Sequence, residues 1–418
     1  MASKKGSVTI QSVDFPPYVI QMLPDRHFLV AGGGGQAKCG IPNIIEVFEL
    51  KKDEDADTCY ASSVCRHTTT DAIMNGATAY DGKTHYLAAG VEDQCQIYHL
   101  KYKLVKPKPN TAVDADGNVA VRKRKGNATE SDDNKATRNV VSFDITLDKS
   151  VQSDFAEDGG LQNVVKFSRD HTLVITGGAD GYLRIWKRAG MKRIHEIEAH
   201  KQEIEDLDIS PDGNRIVTIS REKKACVWNT KNGTKFADLE WPQKTEAKYR
   251  FRTCRYGIIE NKKENFNLYT VNIPVTQGQK NAQSFITIWN SKDFRVKKIS
   301  GTGPEIVSSF AVSNDGIYLA TGTLSGSVSV FISFSLSRLY HIKDAHSIFV
   351  TGLLFLPSTE EVRSLTGAQD FSLISVSADN CIKLNQMPPR ASFSAIWLLI
   401  GFVIIIYAIF WLMAELGV

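Results

Sequence analysis

Residues 31–43, AGGGGQAKCGIPN, concentrate the most unusual backbone chemistry in this chain of 418 residues. Four consecutive glycines, Gly32, Gly33, Gly34 and Gly35, cost conformational entropy and pack nothing, so keeping them beside apolar runs implies unusual φ/ψ values or close backbone approach. A phosphate-binding loop would need G-x-x-x-x-G-K-[ST] leading into a helix. Here Lys38 lies between Ala37 and Cys39, and the strand-like IIEVFEL follows, which excludes that reading. Two readings stay open. One is a flexible hairpin tip without chemistry. The other is an ordered loop whose carbonyl oxygens converge on a hard monovalent cation, while Pro42 stiffens the exit and presents Asn43 outward.

Elsewhere the chemistry is sparse. The chain has no G-x-S-x-G elbow, no H-E-x-x-H, and no G-x-G-x-x-G at a strand-to-helix turn. Its seven cysteines are scattered without a C-x-x-C spacing, which argues against zinc and for a reducing compartment. His67 near Asp71 could form an acid/base pair, but it stands alone in a polar stretch. Nothing points to a hydrolase or an oxidoreductase. A formal charge of +4 is too even for nucleic acid or anionic lipid to be the default partner of the whole molecule, so any basic patch must be local.

The elements that must position the loop are strands. Short β-branched and aromatic runs recur, punctuated by Gly, Asp, Asn and Ser. The clearest unit is 164–186, VVKFSRDHTLVITGGADGYLRIW, repeated at 207–228 and 309–331; Trp186 and Trp228 lie one period of about 40 to 45 residues apart. Weaker copies at 18–48, 72–98, 251–289 and 350–384 bring the count to seven. The expected fold is all-β, a seven-bladed WD40-like β-propeller spanning 1–389, with residues 7–13 as the strand that closes the ring. His200 and His346, each after an alanine, read as structural hydrogen-bonding residues. Residues 101–138 form an expected mobile insertion, with the basic run 122–125 (RKRK) beside acidic residues 130–133, a solvated linker rather than a nucleic-acid patch.

The two ends of the chain differ. No apolar run follows Lys4 and Lys5, so the N-terminal body is expected in the cytosol. After a linker at 390–394, residues 395–414, AIWLLIGFVIIIYAIFWLMA, contain no charge, and about 20 helical residues match a hydrocarbon core of about 30 Å. This segment reads as a transmembrane helix. Lys383 and Arg390 on its N-terminal flank hold the propeller on the cytosolic side, leaving 415–418 as a lumenal tail.

The Gly-rich motif in the first repeat, the seven repeats, the Ala345-His346-Ser347 opening of the last one and the lone C-terminal helix together resemble the Sec12 family. That family comprises endoplasmic-reticulum guanine-nucleotide exchange factors for the small GTPase Sar1. The resemblance implies a potassium ion held by backbone carbonyls of Gly32, Gly33, Gly34, Gly35 and Gly40. It further implies that Ile41, Pro42 and Asn43 meet the GTPase, with Asn43 as the exchange residue, in a protein that performs no covalent chemistry and starts COPII coat assembly. Two rival readings remain: a membrane-anchored WD40 scaffold without exchange activity, and a nuclear promoter-binding regulator. The sequons at Asn127 and Asn232 provide a topology test. Both should stay unglycosylated in cells, and a mass shift removed by an N-glycosidase would reverse the expected orientation.

Overall fold

The computed structural model describes residues 6–24, 26–36, 40–53, 58–105, 140–242, 248–260, 262–276, 282–389 and 395–415. Within them lie seven four-stranded antiparallel sheets, arranged as the blades of a propeller. Blades 1 to 6 are built from residues 17–68, 75–152, 162–198, 204–238, 249–303 and 307–342. In blade 7 the strands Val350–Phe355, Phe371–Ser377 and Cys381–Met387 are completed by the N-terminal strand Gly6–Ser12. That strand runs antiparallel to Cys381–Met387, with Gly6 opposite Gln386 and Ser12 opposite Cys381. The ring is thus closed by the segment expected to close it.

Burial explains the strand sequences. A blade's second strand is covered on both faces by neighbouring blades, so His27–Gly32 and Tyr318–Thr323 are buried at every position. The outermost strands face water on one side, and Lys192–Glu198 accordingly shows no buried position. Blades 3, 4 and 5 share a polar staple inside this packing. The indole N–H groups of Trp186, Trp228 and Trp289 donate to the hydroxyls of Thr176, Thr218 and Thr270 at 2.9, 2.9 and 2.8 Å. Each staple satisfies a buried donor that would otherwise cost about 1 to 3 kcal/mol.

His200 and His346 extend this scheme. His200 Nε2 lies 2.7 Å from the Thr218 hydroxyl and Nδ1 2.9 Å from Glu222. His346 Nε2 lies 2.8 Å from the Ser375 hydroxyl, with Nδ1 3.2 Å from Asp379. Both rings are buried and structural, as expected.

Two features depart from the sequence reading, and a third agrees with it. The strand Gln94–Val105 continues through residues 101–105, which were assigned to the insertion, because its long outer partner Val140–Gln152 pairs with it as far as Val105. The rest of the insertion, including RKRK, lies in 106–139, outside the described residues. A short helix, Glu360–Thr366, interrupts blade 7; Thr359 caps it by accepting from the Val362 amide, and Val362 packs into the core shared with Phe48 and Leu50. His67 and Asp71 do not pair: the His67 ring meets Tyr98 edge-on at 5.8 Å, while Asp71 accepts from the Ala72 amide at 2.7 Å.

The C-terminal helix runs from Ala395 to Glu415. Its described side chains begin at Leu399, and among the described residues no helix is long and apolar enough to cross a membrane.

Strand direction divides the ring into two ends. Turns between second and third strands, and between successive blades, lie at one end, the loop face. The opposite end, the tail face, carries the start of Gly6–Ser12 and the exit from Cys381–Met387.

Burial holds the pKa values of His200 and His346 below the ordinary range, against the pull of Glu222 and Asp379. The unfolded chain then binds protons at these sites that the fold does not, so stability should fall as pH drops below the unfolded histidine pKa of about 6.5 and level off below the depressed folded values. Thermal unfolding between neutral and mildly acidic pH tests this. The His200→Gln, His346→Gln variant should show a shallower decline than the parent, and an equal slope would refute the assignment.

Candidate functional site

The glycine-rich segment joins the strands His27–Gly32 and Ile44–Asp53 on the loop face of blade 1. Gly32 pairs with Ile44 at the end of the ladder, and beyond it the Gly33 amide donates to the Pro16 carbonyl at 3.2 Å. Gly33 has φ +146°, and a Cβ there would stand 2.2 Å from Asn43 Oδ1 and 2.7 Å from the Asn43 Cα. Gly35 has φ +70°, again a conformation that side chains other than glycine resist. At these two positions the glycine run is a geometric requirement, because the returning chain occupies the space a side chain would need. Residues 37–39, including Lys38 and Cys39, lie outside the described residues.

Asn43 closes the loop. Its Oδ1 accepts from the Gly35 amide at 3.0 Å, and its Nδ2 donates to the Gly35 carbonyl at 3.3 Å. The Asn43 carbonyl meanwhile accepts from the Thr69 amide at 2.9 Å, fixing the exit of the loop to the chain entering blade 2. The sequence reading had Asn43 presented outward. Instead the carboxamide turns back across the loop, because the Gly35 peptide offers it a donor and an acceptor at once. Ile41 is the outward side chain, 40% exposed, and Pro42 is half-buried behind it.

Blade 2 supplies a negative wall that one-blade sequence reading missed. A Cβ on Gly35 would lie 3.5 Å from Asp71 Oδ1, and Gln36 Nε2 donates to Glu92 Oε1 at 2.5 Å. Partial desolvation and then the neighbouring Asp71 push the Glu92 carboxyl above the usual range. A cation beside the loop would relieve that crowding of carboxylates. Among the described residues no group of three or more His, Cys, Asp or Glu side chains could hold a metal. Glycine carbonyls without flanking Cβ atoms, next to Asp71 and Glu92, fit a hard monovalent cation.

Around the same end of the ring stand large apolar side chains left in water. Met74 is 47% exposed, Phe155 48% and Phe349 40%, with Leu161, Leu324 and Ile348 alongside. All lie in turns of the loop face. An apolar rim with Ile41 on its edge has the makings of a protein-docking surface. The sequence signal was present but weak, since Ile348 and Phe349 directly follow Ala345-His346-Ser347. Down the ring axis a cavity of about 490 Å³ is polar and internally paired, with Arg255 Nη1 2.6 Å from Asp206 Oδ2.

Residues 155–187, 191–229 and 295–331 match the WD domain, G-beta repeat family. Over 410 residues the chain is 34% identical to the guanine nucleotide-exchange factor SEC12 of Rattus norvegicus, covering 96% of this chain and 95% of that protein. The chain belongs to the Sec12 family. The SEC12 of Mus musculus is equally similar, 34% identical over the same 96% and 95%. SEC12-like protein 2 of Arabidopsis thaliana is 28% identical over 56% of this chain and 53% of its own length. Kinship across the whole length makes guanine-nucleotide exchange the activity of this Sec12-family propeller.

The geometry at Gly33 can be tested alone. Gly33→Ala should destabilise the loop by about 1 to 3 kcal/mol through the clash with Asn43 and the positive φ. Hydrogen exchange at the Gly35 amide should accelerate while the blade 4 core keeps its protection; unchanged exchange at Gly35 would show that the loop tolerates a side chain there.

Proposed function

We propose that this chain releases GDP from the small GTPase Sar1 at the endoplasmic reticulum membrane and thereby starts COPII coat assembly. The observation carrying the proposal is the Asn43-clamped glycine loop on a face rimmed by exposed Met74, Phe155 and Phe349. The clamp is internal, so the loop meets its partner already shaped, and little binding energy is lost in ordering it. The rim gives apolar contact, and Ile41 and Pro42 lie at the edge where the loop meets the GTPase. Asn43 acts at the tip by fixing the Gly35 peptide, which sets how Ile41 and Pro42 approach the nucleotide site.

Exchange of this kind breaks no bond. The factor binds the empty GTPase better than its GDP form, and that differential affinity lowers the cost of nucleotide loss. A potassium ion held by carbonyls of Gly32, Gly33, Gly34, Gly35 and Gly40 would add rigidity to the loop. The helix Ala395–Glu415, uncharged from 395 to 414, serves as the membrane anchor with the propeller in the cytosol. Release of the activated GTPase beside a bilayer suits a partner that binds membranes through an amphipathic segment.

Nucleotide-release kinetics with purified Sar1 separate this reading from a scaffold without exchange activity. Asn43→Ala should slow GDP release by about tenfold or more, the effect of losing about 1.4 kcal/mol of differential binding, with thermal stability within about 1 kcal/mol of the parent. Replacing potassium with lithium should speed hydrogen exchange in the loop. Full-speed release by the variant would remove the loop from the mechanism, and ion-independent protection would remove the potassium.

A further inference from the structure

The tail face carries an unbalanced charge that neither the fold nor exchange uses. Arg169, Lys187, Lys192, Lys231 and Lys292 are exposed in the tail-face turns of blades 3, 4 and 5, or at the strand ends beside them, and none forms an ion pair among the described residues. Arg295 joins them, its side chain 88% exposed and 3.9 Å from Asp293. The aspartates of these turns are already engaged by their own backbone and hydroxyls, while Glu260 and Glu264 stand exposed beside the blade 5 turn. Asp170 accepts from the Ser168 hydroxyl at 2.5 Å and the Thr172 hydroxyl at 2.8 Å. Asp212 accepts from Asn214 Nδ2 at 2.8 Å, and Asp293 from the Arg295 amide at 3.1 Å. The cations are left to face outward.

A crevice of about 580 Å³ opens between blades 3 and 4 within this arc. Its floor is apolar, formed by Leu173, Ile185 and Ile194, and its rim carries the carboxylates of Asp170 and Asp212 as well as Arg169, His195 and Lys231. Ile194 is 47% exposed, one residue from Arg193 and two from Lys192. Blade 7, across the ring, has the opposite character, with Glu360, Glu361 and Asp370 exposed or half-buried on the same face. It is also where the chain departs. Between Met387 and Ala395 even a fully extended chain spans at most about 30 Å, so an anchored helix keeps this face close to the bilayer.

We infer that the tail face of blades 3 to 5 docks on anionic phospholipid of the membrane that holds the C-terminal helix, through the exposed cations of its turns. This inference rests on the anchor reading above. The tether at blade 7 and the charge contact opposite it hold the ring at two points, with the loop face turned toward the cytosol. Basic side chains near an anionic surface each contribute about 1 kcal/mol, an attraction that salt screens. The short connection to the anchored helix, which holds this face at the bilayer, favours a lipid surface over a second copy of the chain.

The test uses the full-length chain reconstituted in phosphatidylcholine vesicles with and without phosphatidylserine, read by hydrogen exchange. Amides in 187–193 and 230–235 should exchange about fivefold or more slowly in the anionic vesicles only, the effect of about one well-placed cation, and should recover at high salt. The Lys187→Glu, Lys192→Glu, Lys231→Glu variant should lose the slowing, while remaining with the vesicles in carbonate and releasing GDP normally in detergent. Equal exchange in neutral and anionic vesicles would overturn the docking and leave the anchor standing. Slowing that tracks protein density instead of lipid charge would give the face to a second copy and also overturn it. Extraction of the parent chain by carbonate would overturn the anchor and this placement with it.

Discussion

Closure of the ring is the constraint on which the rest of the molecule depends. No blade can bury both faces of its own sheet, so each strand's apolar residues find cover only when seven sheets stand side by side and the last meets the first. The strand Gly6–Ser12 makes that joint by hydrogen-bonding to Cys381–Met387. Around it, the Tyr340 hydroxyl donates to the Gly6 carbonyl at 3.1 Å, and the Thr351 hydroxyl donates to the Pro17 carbonyl at 2.6 Å. Loss of the joint would expose the core faces of blades 1 and 7 together, including Phe28, Phe48, Ile374 and Val376.

Closure also assigns the two ends of the ring their roles. The N-terminal strand and the last strand are antiparallel neighbours, so the chain enters and leaves at the same end. The glycine loop joins a second strand to a third, which puts it at the other end. Strand direction alone therefore sets the C-terminal exit on one side of the ring and the glycine loop on the other. The charges differ between these ends: carboxylates of Asp71 and Glu92 wall the loop, and the opposite turns expose lysines that form no ion pair among the described residues.

The loop itself shows how a run of glycines becomes rigid. Its backbone conformations at Gly33 and Gly35 exclude other residues, and the Asn43 carboxamide then bonds both polar groups of the Gly35 peptide. Two hydrogen bonds of about 1 kcal/mol each offset part of the entropy that ordering the chain costs. What composition alone would describe as floppy is held by one side chain from eight residues away.

How much was legible in the residues depended on how local each signal was. Blades 3, 4 and 6 carry a buried second strand, an Asp-containing turn and a closing aromatic within some 25 residues, so their period could be read directly. Blade 2 was cut short because its outer strand, Val140–Gln152, returns only after a long insertion, and pairing at that distance leaves no local trace. The short helix at Glu360–Thr366 escapes sequence reading for a related reason, since about two turns held by burial of Val362 are too short for a periodicity to show.

By itself, then, the sequence determined the repeat, the all-β class, the closing strand, the position of the glycine loop and the apolar C-terminal run, because each rests on residue types within one strand or turn. Only the tertiary structure decided that Asn43 folds inward onto Gly35 and that Asp71 and Glu92 flank the loop. It alone gathered Met74, Phe155 and Phe349 onto one rim and the basic turns onto the opposite face. These are contacts between segments far apart in the chain, fixed by the angle at which each blade meets the next, and that angle exists only once the ring has closed.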